Sequence, residues 1–204
     1  MLSRATDQRM KAEPEEGTVV FFDLIGSAAI AEAMEPVEFS VLLNRYHDLL
    51  KQIVETHRGF IIAFEGDGVM VAYTKSETGT NHALAACKSA VSVVRSVHNI
   101  DVSNKDNPLS SLHMRIGINS GSIARAEIGA HDRFNFSLVG DVVNLASRLE
   151  QLGKLIFPEE KNVILVGHAT MRAAAEGDLG FVDCGLQPIR GREHHENVYK
   201  ISIE

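Results

Sequence analysis

Tryptophan is absent from this 204-residue chain, cysteine occurs twice and proline five times. Two isolated cysteines, Cys87 and Cys184, exclude a disulfide framework and a zinc site built on thiolate spacing. Cys87 lies in the apolar stretch Ala83-Leu84-Ala85-Ala86, which predicts a buried, reduced thiol. No apolar run approaches the length of a membrane span. The charged first residues lack the apolar centre of a secretory signal, so the chain reads as soluble and cytoplasmic. Basic charge is in short supply: Lys plus Arg number 20 against 27 Asp plus Glu, a formal net charge of −7. That balance argues against a nucleic-acid-binding surface, although it leaves room for a locally positive cleft. The nine histidines are scattered, and adjacent His194 and His195 would face opposite ways on a strand, so none is assigned a role. Internal repeats and low-complexity segments are also missing.

What is present is 45% hydrophobic residues, enough for one substantial core. Residues 1–17 read as a flexible arm and residues 18–204 as one domain. The pattern predicts a strand over Thr18–Leu24, a helix over Ser27–Met34, and a second helix from Pro36 to Thr56, since proline fits the first helical turn. Phe39, Leu42, Leu43, Tyr46, Leu49, Leu50, Ile53 and Val54 recur there at helical spacing and read as core. Phe60–Phe64 and Val69–Tyr73 read as a hairpin, Gly79–Val97 as a helix, and residues 98–110 as a polar loop. Leu112–Asn119 and Ser122–Ile128 are expected to form a second hairpin around Ser120-Gly121. A helix over Val139–Leu152, a strand over Asn162–Val166, a short helix over His168–Ala175, and strands over Phe181–Ile189 and Asn197–Ile203 complete the series. The order predicts an α+β fold: a ferredoxin-like βαββαβ core with an extended antiparallel sheet.

Two aspartates stand at the ends of apolar runs. Val19-Val20-Phe21-Phe22 leads into Asp23, and Gly59-Phe60-Ile61-Ile62-Ala63-Phe64 into Glu65-Gly66-Asp67-Gly68. Carboxylates at the tips of neighbouring strands can share hard, oxygen-seeking cations, an arrangement suited to phosphoryl or nucleotidyl transfer. Asp beside Gly is equally a turn signature, so either aspartate alone supports both readings. On the helix after Gly140, Asn144 and Arg148 are four apart and share a face. An amide and a planar, permanently charged guanidinium one turn apart suit a ribose and a strained phosphate; a surface ion pair is the plainer reading of Arg148.

Taken in order, Phe22-Asp23-Leu24-Ile25-Gly26, Phe64-Glu65-Gly66-Asp67-Gly68-Val69-Met70, Arg115-Ile116-Gly117-Ile118-Asn119-Ser120-Gly121 and Val139-Gly140-Asp141-Val142-Val143-Asn144-Leu145-Ala146-Ser147-Arg148-Leu149 resemble the class III nucleotidyl cyclases. This is the family of adenylate and guanylate cyclase catalytic domains, and the resemblance runs from about Thr18 to Ser202. It implies closure of a nucleoside triphosphate, ATP first, to its 3′,5′-cyclic monophosphate with release of pyrophosphate. It also implies two Mg²⁺ or Mn²⁺ ions held by Asp23, Asp67 and the Leu24 carbonyl. The segment Leu24, Ile25, Gly26, Ser27 and Ala28 would cradle phosphates through backbone N–H groups. Asn144 would orient the ribose and Arg148 would stabilise the transition state. The resemblance further implies a head-to-tail homodimer in which the aspartates and the Asn/Arg pair come from different copies. Pro188-Ile189-Arg190-Gly191-Arg192 matches a loop whose lysine contacts the leaving phosphates, a role open to Arg192 or Arg190.

The chain departs from that pattern at the base. Purine-reading members carry a lysine where this chain has Ala63, and an aspartate or threonine where it has Ser137. Ser137 can donate or accept and so is nearly silent on base identity. Gly26-Ser27-Ala28 lacks the apolar residue usual after the glycine, and Ser122 replaces an arginine. Three readings remain open: an adenylate cyclase of bacterial type, a pyrimidine (UTP or CTP) cyclase resembling those of bacterial anti-phage systems, and a catalytically silent nucleotide-binding or dimerisation module.

Overall fold

The computed structural model describes residues 13–99, 112–130 and 133–203. In chain order the elements are β1 (Pro14–Leu24), α1 (Ser27–Ala33), α2 (Pro36–Thr56), β2 (Phe60–Glu65) and β3 (Gly68–Thr74). A short α3 (Lys75–Thr78) and a 3₁₀ turn lead into α4 (His82–Asn99). Then come β4 (Met114–Ala130), β5 (Arg133–Val139), α5 (Asp141–Ile156), β6 (Asn162–Gly167), α6 (His168–Ala173), β7 (Phe181–Gln187) and β8 (Glu196–Ile201). One sheet runs β2-β3-β1-β4-β6-β8-β7, with β5 paired to β4 outside that path. Among the described residues only the β4–β6 pairing is parallel, so the expectation of an α+β fold with an extended, mostly antiparallel sheet holds. Among the described residues no helix is long and apolar enough to cross a membrane.

The central strand β1 is covered on both faces, which is why its apolar run is continuous rather than alternating. Val20, Phe22 and Leu24 join Leu42, Tyr46, Leu50 and Val54 of α2 and much of α4 in the main core. Val19 faces the other way, into a cluster with Met70, Ile123 and the α5 residues Val142 and Ala146. The predicted α2 stripe is thus core, and Cys87 is fully buried as a free thiol.

Three boundaries differ from the sequence pattern. Pro14–Gly17, assigned to the arm, are the first rungs of β1, paired with Gly121–Ala124. The second hairpin does not form: Met114–Ala130 is one 17-residue strand. Gly121 lies within it at φ 154°, a conformation open to glycine, and continues the ladder opposite Gly17 where a turn was expected. The hairpin partner of β4 is instead β5, which the sequence pattern left unassigned. The loop expected over 98–110 falls largely outside the described residues.

A buried polar chain crosses the core side of the sheet. The Thr18 hydroxyl lies 2.8 Å from His82 Nδ1 and 2.7 Å from the Ser120 hydroxyl, which is 2.9 Å from that of Thr170. It ties β1, β4, α4 and α6 together through satisfied groups.

Candidate active site

Strand register brings the candidate residues together. Phe22 of β1 faces Val69 of β3, so the Glu65-Gly66-Asp67-Gly68 turn sits beside the end of β1, where Asp23 stands. On its other side Asp23 is directly opposite Arg115 of β4, and Leu24 opposite Met114. A cleft of about 420 Å³ opens at this edge. One wall is Asp23, Leu24, Gly26, Ser27 and Ala28; the other is Arg115, Glu150, Gln151 and Lys154. Of the expected phosphate cradle, Ile25 is not in the wall, and its N–H already donates to the His113 carbonyl at 2.8 Å.

The electrostatics follow from burial first and from crowding of carboxylates second. Burial raises the Asp23 carboxyl above its ordinary value, and the Asp67 charge adds to this, against Arg115 and Lys154. Glu150 is pushed up to about 7, first by burial, then by Asp23, with Arg115 and Lys154 opposing. Arg115 is 9% exposed, and its Nε has no hydrogen-bond partner. A buried guanidinium beside an open cleft is a ready seat for an anion. Sequence reasoning quoted Arg115 only as part of a motif and missed Glu150 and Lys154. The available signals were the i, i+4 spacing of Glu150 and Lys154, and the shared face of Arg115 and Gly117 on β4.

The second half of the predicted constellation lies elsewhere on α5. Asn144 is exposed, Arg148 is half-buried, and neither lines the Asp23 cleft. Among the described residues, Arg148 reaches Gln151 Oε1, at a long 3.5 Å. Arg192 pairs with Asp141, at the first turn of α5, and with Glu196. Its guanidinium is held still more firmly charged, chiefly by the hydrogen bond to Asp141. Arg190 is exposed. Ala63 follows a register shift in β2, which puts Ile62 and Ala63 together against the cluster of Val19, Met70 and Ala72. Ser137 is half-buried opposite Ala126.

The donor set of the cleft fits divalent cations. Asp23 and Asp67 repel each other, as a pair of carboxylates does before a cation joins them, and the third donor that the resemblance implies, the Leu24 carbonyl, is also an oxygen. Among the described residues no group of three or more His, Cys, Asp or Glu is placed to hold a metal. A site here would therefore rest on two carboxylates, the carbonyl, water and substrate oxygens.

A mostly antiparallel α+β sheet thus carries Asp23 and a buried arginine at one cleft, with Asp67 near enough to raise the Asp23 carboxyl. The chain belongs to the adenylate and guanylate cyclase catalytic domain family, whose model matches residues 10–202. Adenylate cyclase 1 of Rhizobium meliloti is 28% identical over 187 residues, 92% of this chain and 27% of that protein. An adenylate cyclase of Anabaena cylindrica is 30% identical over 138 residues, 67% of this chain and 27% of its own length. The chain thus spans about a quarter of these curated relatives. The crystal structure of the adenylyl cyclase CyaB from P. aeruginosa superposes with a TM-score of 0.84 at 26% identity, covering 95% of this chain and 96% of that one. The guanylyl cyclase Cya2 superposes at 0.79, also at 26% identity, with 94% of each chain covered.

Proposed function

We propose that this chain is a nucleotidyl cyclase domain that converts a nucleoside triphosphate, ATP first, to its 3′,5′-cyclic monophosphate and pyrophosphate at sites shared between two copies. One observation carries the shared site: Asp23 lines the cleft and feels the charge of Asp67 across from it, whereas Asn144 and Arg148 of the same chain stand on another edge of α5 and do not line it. A second copy, placed head to tail on a two-fold axis, would supply them twice over. The relatives named as adenylate cyclases support ATP as the first choice.

Two divalent cations, Mg²⁺ or Mn²⁺, on Asp23, Asp67 and the Leu24 carbonyl would lower the pKa of the ribose 3′-hydroxyl and offset phosphate charge. The chain's own residues do the rest. The β1–α1 junction lines the cleft and holds the triphosphate against the Arg115 guanidinium, which lines it from the other side. Asn144 of the second copy orients the ribose. Arg148 meets the charge that develops on the α-phosphoryl oxygens, and a preorganised donor of this kind contributes about a hundredfold or more in rate. Arg192 is the first candidate for the leaving pyrophosphate; in the single chain it steadies the start of α5 through Asp141.

A second reading, a cyclase for UTP or CTP, rests on Ala63. Its apolar surroundings bring no donor to a purine edge. The test is incubation with ATP, GTP, CTP and UTP separately, with Mg²⁺ or Mn²⁺, and mass spectrometry of the products. Cyclic AMP supports the first reading and cyclic UMP or CMP the second. No cyclic product from folded, dimeric protein overturns both.

A further inference from the structure

Two glycines let α5 lie close on the sheet, and they set which side chains reach the cleft. Gly117 of β4 lies under the Glu150 backbone, and Gly153 leaves room for the stem of Arg115, whose Cδ is 3.8 Å from where a Gly153 Cβ would stand. Arg115 thus enters from the strand beneath α5, and Lys154, the residue after Gly153, enters from the helix. Both line the cleft, on the wall that faces Leu24, Gly26, Ser27 and Ala28. The two cations differ in depth: Arg115 is buried, and Lys154 is exposed at the rim.

Lys154 has two ordinary explanations. A lysine in the last turn of a helix complements its carbonyl end. A lysine on any face would do that, and this one shares the face of Glu150, over the cleft. An i, i+4 ion pair with Glu150 is the other explanation. The ion pair that α5 forms among the described residues is that of Asp141 with Arg192, not one between Glu150 and Lys154. Lys154 does act on the cleft as a charge: with Arg115 it draws the Asp23 and Glu150 carboxyls back toward ionisation, against their burial.

We propose that Lys154 reads the terminal phosphate of the substrate, its ammonium donating to the third phosphoryl group while Arg115 and the β1–α1 junction hold the phosphates deeper in the cleft. A flexible point charge at the rim suits a phosphate that keeps part of its water, and a planar fork in the floor suits one that is enclosed. Triphosphate is thereby told from diphosphate on the wall of a single chain. The role rests on the cyclase reading above for the identity of the substrate, but its test needs neither turnover nor a second copy.

The experiment is calorimetric titration of the full chain with inorganic tripolyphosphate and, separately, pyrophosphate, each with Mg²⁺, on wild type, Lys154→Gln, Lys154→Arg and Lys161→Gln. Lys161 is the control, an exposed lysine outside the cleft wall. A charge-assisted hydrogen bond contributes about tenfold or more in affinity. Lys154→Gln is therefore expected to bind tripolyphosphate about tenfold more weakly and pyrophosphate as wild type does. Lys154→Arg, which keeps the charge, should retain most of the tripolyphosphate affinity, and Lys161→Gln all of it. Unchanged tripolyphosphate binding in Lys154→Gln overturns the role of Lys154 and leaves the cleft as a phosphate site. An equal loss for both anions also overturns it, because Lys154 would then lend the cleft only its general charge. So does an equal loss in Lys161→Gln. Binding of neither anion to wild type overturns both this role and the triphosphate reading beneath it.

Discussion

Gly117 and Glu150 meet backbone to backbone where α5 crosses β4. A side chain begun at Gly117 would run into the Ala146 carbonyl oxygen and the Glu150 nitrogen, with the Glu150 Cα 3.0 Å away. The helix therefore lies directly on the strand, and this seat delivers Glu150 to the cleft opposite Asp23. Gly117→Ala should destabilise the domain by about 1–3 kcal/mol, the usual cost of overpacking a tight contact. Urea unfolding measures it; unchanged stability would contradict the crossing described here.

Asp67→Asn should abolish cyclisation with the fold intact, as judged by circular dichroism. Arg148→Ala should lower the rate by about a hundredfold or more. Mixing the two inactive proteins should restore part of the activity, since one composite site per mixed dimer is complete. With subunit exchange confirmed, no recovery would rule out sites shared between copies.

Glu150 should make the metal-free domain less stable as pH rises. Its native pKa, about 7, lies above the ordinary 4.5. Between those values the native state holds a proton that the unfolded chain has released. The contribution is thus complete below about 4.5 and lost by the time pH passes 7. In chelator, wild type should lose melting temperature from pH 5 to 8, and Glu150→Gln should lose less. Parallel profiles would show that the carboxyl is not raised.

Thr18→Val keeps the shape of the side chain but removes the hydroxyl between His82 and Ser120. Stranding buried polar groups costs about 1–3 kcal/mol, so denaturant midpoints should fall accordingly while Mn²⁺ binding stays as in wild type. A neutral result would show that water replaces the link.

Arg58 holds φ 61°, a left-handed conformation, at the end of α2, where the Gly59 N–H closes back on the Val54 carbonyl at 2.9 Å. Glycine normally fills such a place. Here the neighbouring Gly59 is committed to its contact with the Tyr73 ring, and an arginine takes the left-handed position. Arg58→Gly should raise stability by about 0.5–1 kcal/mol, seen as a higher melting temperature; a lower one would mean that the guanidinium has a role in the cleft it shares with Glu77 and Arg125.

Much of this molecule was legible in its sequence because the signals were local. Pro36 and an apolar stripe of eight residues from Phe39 to Val54 gave α2, and the tip positions of Asp23 and Asp67 followed from apolar runs ending in turns. The strand β4 was not legible: Ser120-Gly121 has the composition of a turn, and only the long ladder with β1 keeps it extended. Arg115 and Glu150 were missed for the same kind of reason. Their meeting depends on register between strands and on a helix lying flat at Gly117, neither of which leaves a mark on neighbouring residues.

The close seat of α5 has one more consequence. The helix turns Glu150 and Lys154 toward the cleft of its own chain and carries Asn144 and Arg148 on another edge. Resting on backbone at Gly117, it has no side-chain cushion on which to roll. The two edges are therefore indexed to each other like teeth cut on one cog. In the proposed dimer the spacing between the two catalytic centres is machined into each subunit before assembly, and association has a single alignment left to find.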